Sequence, residues 1–293
     1  MSDESLLQEG AAPQMLATGA VWSEGPLWVP STKTVRWSDI PNDRILQWDS
    51  VTGAVSVYRD KVEYTNGRVL DSDGTVVQCS HGRRRLEREF PDGSIEEIVS
   101  RWDGRRLNSP NDVALALDGS YWFTDPDYGI SQPREGHPGE LEYGARWVFR
   151  WSVEDGLRPV ITDMIQPNGI AFSPSGETVY VTDTAVGEDD SGHWIRAYDV
   201  ADHGLNAQGG SLFATIHNGL PDGIAVDERG RVWSSAGDGV HVFSPGGSEV
   251  LFVPVPEVVA NVCFGGEDGT DLFIAATTSL YRLRTLTRAH LAE

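Results

Sequence analysis

The chain has 293 residues, of which 39% are hydrophobic and 9% aromatic, with 32 glycines and 16 prolines. That mixture suits one large all-β domain of short strands and turns, and argues against long helices. The formal charge of −21, from 44 acidic against 23 basic side chains, repels phosphate backbones and anionic lipid, so nucleic acid and membrane surfaces are poor partners.

The opening, "MSDESLLQEGAAPQ", has no basic n-region and no apolar stretch, and no run in the chain approaches the ~18 apolar residues of a membrane span. Residues 1–17 are therefore expected to be a polar arm, residues 18–293 a single domain, and the protein soluble and cytoplasmic. The first strand pair is expected in "EGPLWVPSTKTVRWSD" from Glu24, followed by a second pair in "RILQWDSVTGAVSVY". The same plan returns in "NGRVLDSDGTVVQCSH" from Asn66 and "RRRLEREFPDGSIEEI", then in "NDVALALDGSYWFTD" from Asn111. "TDPDYGI" then leads into the longest irregular insert, "SQPREGHPGELEYG", residues 131–144, which fits a lid or a substrate-contact segment. Beyond it come "NGIAFSPSGETVYVTD" from Asn168, "DGIAVDERGRVWSSAG" from Asp222 and "NVCFGGEDGTDLFIAAT" from Asn261. Cys79 and Cys263 lie in separate apolar runs and read as free buried thiols.

The six units start 42, 45, 57, 54 and 39 residues apart, each a hairpin with Gly, Asp and Ser in its turn. Four strands per roughly 40–50 residues is the period of a β-propeller blade. A β-sandwich would not repeat one opening motif six times, and a β-helix would use a shorter period. The predicted fold is thus an all-β, six-bladed β-propeller with a metal site in the central channel mouth.

In such a ring the first strands run in one direction, so Glu24, Asn66, Asn111, Asn168, Asp222 and Asn261 would surround one mouth of the channel. All offer oxygen, the donor that Ca²⁺ and Mg²⁺ prefer, and Glu24 with Asp222 would balance a divalent charge. The alternative is that Asn and Asp simply begin strands by bonding nearby backbone, a reading that suits Asn66 and Asn261. It suits Glu24 less, and the prolines ahead of Asn111, Asn168 and Asp222 fix the chain just before a side chain that must be aimed. Second strands return to the same mouth and would add an outer ring of Asp39, His81, Asp125 and Asp183. The chain contains no G-x-S-x-G, H-E-x-x-H, C-x-x-C, P-loop or G-x-G-x-x-G motif, and its seven histidines include no pair at zinc-ligand spacing.

The blocks "WSEGPLWVP", "CSHGRRRLER", "LNSPNDVALALDGSYWFTDPDYG", "QPNGIAFSPSGETVYVTD", "LPDGIAVDERGRVW" and "NVCFGGEDGTDLFIA" resemble, in order, those of the senescence marker protein (regucalcin)/gluconolactonase/luciferin-regenerating enzyme family. The resemblance implies a lactonase, hydrolysing a small-molecule sugar lactone with one divalent cation bound by Glu24, Asn168 and Asp222. Ca²⁺ is the foremost candidate, with Zn²⁺, Mg²⁺, Mn²⁺ or Fe²⁺ admitted by the same oxygen donors. It further implies that Asn111 contacts the metal or the substrate and that Asp222 is a candidate general base. Ser109 stands where the regucalcin branch carries a substrate-contacting Arg, so the bacterial gluconolactonase-like branch is the better match. His81, Asp125 and Tyr128 are further candidates for holding sugar hydroxyls, while His81 also reads as a general base or, foremost, as a satisfied strand-end histidine. Rival readings are a hydrolase of other lactones or phosphotriesters on the same scaffold, or a non-catalytic propeller that binds a partner.

Overall fold

In the computed structural model, which describes residues 5–185 and 193–289, six four-stranded antiparallel sheets follow one another around a ring. The innermost strands are Ser23–Val29, Thr65–Leu70, Val113–Leu115, Pro167–Phe172, Ile224–Val226 and Val259–Gly265, one in each of blades one to six. Each packs against the innermost strands of the blades beside it, and the sixth closes on the first. No helix among the described residues is long and apolar enough to cross a membrane.

The arm expected over residues 1–17 is in part a strand. Gln14–Thr18 pairs antiparallel with Ser279–Arg284 and becomes the outermost strand of blade six, which otherwise has only three strands of its own. Residues 1–4 of that stretch, and 290–293 at the other end, lie outside the described residues.

Alternating apolar residues on both faces of each sheet fill the space between blades. Trp122, Val148, Ile170 and Val181 pack between blades three and four, and Trp233, Val242, Ile274 and Leu283 between five and six. The contact between blades one and two also carries an ionic group: Glu89, buried, sits 3.6 Å from Arg36 and 3.8 Å from Arg59, and Arg36 stacks 3.8 Å from the Tyr58 ring centre. Cys79 is buried and Cys263 half-buried, both as free thiols.

The head of each unit is set where the repeat brings neighbouring inner strands closest. A Cβ on Gly25 would lie 2.3 Å from the Asn66 carbonyl oxygen, and one on Gly169 would lie 2.2 Å from that of Asp222. Those carbonyls are also held by hydroxyls of the preceding blade: Ser38 donates to Asn66 O (3.0 Å), Thr124 to Asn168 O (2.6 Å) and Thr182 to Asp222 O (2.8 Å). In blades one, two, four and six the ladder between the first two strands slips at or beside the head. Such bulges re-aim a side chain, here toward the channel.

Candidate active site

Five of the six heads, Glu24, Asn66, Asn111, Asn168 and Asp222, line a cavity of about 220 Å³ at one mouth of the channel. The sixth, Asn261, stands behind Glu24, its Nδ2 donating to Glu24 Oε2 at 3.1 Å. The rest of the wall is Trp22, Ile40, Thr184 and Leu220 from segments flanking the blades, with Tyr128, Gln132, Arg134 and Glu135 from the turn after blade three's second strand and the insert. Of these the sequence marks out Tyr128 singly, and Gln132, Arg134 and Glu135 only as part of the insert over residues 131–144. The signal for Asn66 is present there too, since it occupies the same head position as its neighbours, but the amide alone does not separate a strand opener from a cavity residue.

The electrostatics of the mouth are those of an uncompensated anion site. Burial raises the Glu24 carboxyl above the usual range, and burial together with the charge of Glu24 raises that of Asp222 further. The two share a hydrogen bond, and the charges of Glu135 and Asp112 add to the pressure on Asp222. Among the described residues, no Lys, Arg or His forms an ion pair with either carboxylate. Asn66 Oδ1 is buried with no hydrogen-bond partner. Buried carboxylates without a counter-charge, beside an unpartnered amide oxygen, make a donor set that suits a hard cation. Among the described residues, no three His, Cys, Asp or Glu side chains gather as a metal cluster. The heads at the mouth offer two carboxylates and three carboxamides, and Glu135 and Gln132 of the insert add one of each to the wall.

The three aspartates of the expected outer ring bond backbone ahead of the heads. Asp39 accepts from the N–H groups of Val21 (2.9 Å) and Trp22 (3.4 Å), Asp125 from Asn108 (2.7 Å) and Ser109 (2.8 Å), and Asp183 from Ile165 (2.9 Å) and Gln166 (3.1 Å). In all three blades these are the residues three and two places ahead of the head, so each Asp clamps the approach to its own inner strand. None of the three lines the cavity. Asp125 also accepts from the Tyr143 hydroxyl (2.7 Å), and burial still pushes its carboxyl up to about 7.

Ser109 and His81 also lie behind the wall and do not line the cavity. Ser109 Oγ donates to the Pro126 carbonyl (2.7 Å) and accepts from Gly129 N–H (3.0 Å), which holds the turn bearing Tyr128. His81 is fully buried, and burial pushes its imidazole down to about 4, so it is neutral at pH 7. Its Nδ1 lies 3.0 Å from the Glu135 carbonyl oxygen and its Nε2 lies 3.4 Å from Asn66 Nδ2. The arrangement assigns the proton to Nδ1, which donates to Glu135, while Nε2 accepts from Asn66. His81 therefore joins the insert to the channel wall.

That joint is tight. A Cβ on Gly129 would lie 2.6 Å from His81 Cβ, and one on Gly136 would lie 2.1 Å from the Gly129 carbonyl oxygen. The backbone of the insert can approach only because both positions are glycine. The close approach brings Tyr128 into the wall, where its hydroxyl bonds Thr184 Oγ1, and burial with the Asp222 charge keeps that phenol protonated. Arg134, 61% exposed, sits at the rim 3.5 Å from the Glu135 carboxylate and 5.9 Å over the Trp22 ring.

The gluconolactonase of Zymomonas mobilis is 29% identical over 97% of this chain and 84% of its own length. The pentonolactonase XacC of Haloferax volcanii is 28% identical over 89% of this chain and 83% of its own. A solved structure of a gluconolactonase from Xanthomonas campestris superposes with a TM-score of 0.89 at 36% identity, covering 96% of this chain and 91% of the other. The family model described as SMP-30/gluconolactonase/LRE-like region matches residues 22–278, and the chain belongs to that family.

Proposed function

We propose that the protein hydrolyses sugar-acid lactones to the open aldonic acids, with Glu24, Asn168 and Asp222 holding one divalent cation. The observation that carries this reading is the pair of buried, unpaired carboxylates from blades one and five, facing each other at the mouth of a cavity of about 220 Å³. The lactonase names of the relatives that span nearly the whole chain support the reaction class. When bound, the cation supplies a Lewis acid for the lactone carbonyl and offsets the carboxylate charge.

The chain's own groups do the rest. Asp222 takes a proton from the water that adds to the carbonyl carbon. Asn111 donates a hydrogen bond to the carbonyl oxygen as negative charge develops there. The ring C–O bond then breaks, and Asp222 returns its proton to the ring oxygen, which leaves as the hydroxyl of the product. Tyr128, held protonated, donates to a ring hydroxyl, and Trp22, Ile40 and Leu220 offer apolar surface to the C–H face of the sugar.

The test is acid release from glucono-, galactono-, xylono- and arabinono-lactones after chelation and single-metal add-back. Chelation is expected to abolish turnover and one divalent ion to restore it. Glu24→Gln should weaken the cation's binding, whereas Asp222→Asn should also lower kcat by about 100-fold or more at saturating metal, the scale of a lost general base. Full turnover of a lactone in the presence of chelator, or wild-type kcat in Asp222→Asn, would overturn the reading.

A further inference from the structure

The position after the head departs from glycine in two blades, and in one of them it is charged. The residue after the head is Gly25, Gly67, Gly169 and Gly223 in blades one, two, four and five and Val262 in blade six, but Asp112 in blade three. The Asp112 side chain is buried behind the cavity wall, where it accepts from Val113 N–H (2.9 Å), and its carboxylate lies near enough to Ile170 N–H of blade four and to the Asn261 amide of blade six for both to favour its charged form. A Cβ on Gly67 of blade two would lie 2.4 Å from Asp112 Oδ1. One carboxylate thus reaches three blades besides its own.

Asn261 completes the circuit. Its Nδ2 donates to Glu24 Oε2 in blade one at 3.1 Å, and its Oδ1 accepts from Val262 N–H at 2.8 Å, which fixes the sense of the amide. A Cβ on Gly223 of blade five would lie 2.0 Å from Asn261 Cγ. Asp112 and Asn261 together therefore touch all six blades at the level where the heads converge. Glu24 Oε2 already accepts from Gly25 N–H (2.8 Å) as well as from Asn261. Its rotation is thereby set by a side chain that is itself anchored across the channel.

We propose that Asp112 and Asn261 are positioning residues, a polar hub that fixes the Glu24 carboxylate relative to Asp222 and so sets the affinity of the mouth for its cation. The proposal rests on Glu24, Asn168 and Asp222 being the cation's donors. Partners that orient a metal ligand are typically worth ~10–100-fold in metal affinity.

The experiment is calorimetric titration of Ca²⁺ and Mn²⁺ into the chelated, dialysed protein and its Asn261→Leu, Asp112→Asn and Glu24→Gln variants, alongside kcat at saturating cation. Asn261→Leu and Asp112→Asn are expected to raise Kd by ~10–100-fold while kcat returns to within a few-fold of wild type as cation is added. Leu283→Ala, a core truncation in blade six, should lower the melting temperature and leave Kd unchanged, which separates positioning from loss of stability. If Asn261→Leu fails to fold, Asn261→Ser carries the same measurement. A wild-type Kd in the folded hub variants, with Glu24→Gln weakened, overturns the hub alone; a wild-type Kd in Glu24→Gln overturns the donor set beneath it.

Discussion

At the scale of single residues, His81 shows how a group can shape the site without touching the cavity. It links Asn66 to the Glu135 carbonyl as a neutral ring, and burial holds its pKa near 4 against an ordinary value of 6.5. The unfolded chain binds the proton more readily between those values, so this contribution to stability is full above pH 6.5 and is lost as pH falls from there through the folded value. The loss is on the order of 3 kcal/mol, at ~1.4 kcal/mol for each tenfold difference in proton affinity. Thermal melts of wild type and His81→Gln between pH 7 and 4 should show the wild type losing more, with the two curves converging toward acid; parallel curves would mean the ring is not held neutral. That Glu24, Asn111, Asn168 and Asp222 meet at one cavity was legible because they share a repeated head position. The roles of His81, Ser109 and Asp125 were not, because each is decided by a partner that only folding brings near. His81 meets Glu135, 54 residues on, and Asp125 turns back onto the approach to its own blade.

At the scale of elements, the dipeptides Glu-Gly, Asn-Gly and Asp-Gly divide their labour. The first residue serves the cavity and the second lets two inner strands meet. Gly169 tests the division, since its backbone has ordinary φ and the obstacle to a side chain is the Asp222 carbonyl at 2.2 Å. Gly169→Ala must push blades four and five apart where two candidate cation donors sit. It should cost ~1–3 kcal/mol as an overpacked core site and weaken cation binding in the same titration. Gly246→Ala is the control, because its Cβ would meet nothing nearer than Ser244 Oγ at 3.8 Å, and it should change stability by less than ~0.5 kcal/mol. Equal melting temperatures for the two variants would show that the ring yields at the head positions. The insert packs by the same device: Gly136 seats against the Gly129 carbonyl, and the insert contributes Gln132, Arg134 and Glu135 to the cavity. Its length alone suggested contact with substrate, while the residues that would make the contact carried no pattern.

At the scale of the whole molecule, the ring holds the heads at fixed separation only if it is closed. The six repeats were readable because inner strands are apolar and their turns conspicuous. The closing strand was not, because Gln14–Thr18 lies at the outer edge, with Gln14, Met15 and Thr18 exposed and only Ala17 buried. Its function is nonetheless architectural. It pairs with Ser279–Arg284, Arg282 donates to Gln14 Oε1 at 2.9 Å, and the N–H groups of Gly19 and Ala20 both reach the Thr278 carbonyl. Removing residues 1–18 would strip the ladder with Ser279–Arg284 and the Arg282–Gln14 bond, at ~1 kcal/mol each, and leave Ser279–Arg284 as an unpaired edge open to association with other chains. For a loss on the order of 4 kcal/mol the melting temperature should fall by ~10 °C, taking ~2–4 °C per kcal/mol for a domain of this size, and light scattering should rise with protein concentration. Removing residues 1–12 spares the strand and should leave the ring closed. A truncation at residue 18 that melts with wild type and stays monodisperse would show that blade six closes the propeller with three strands.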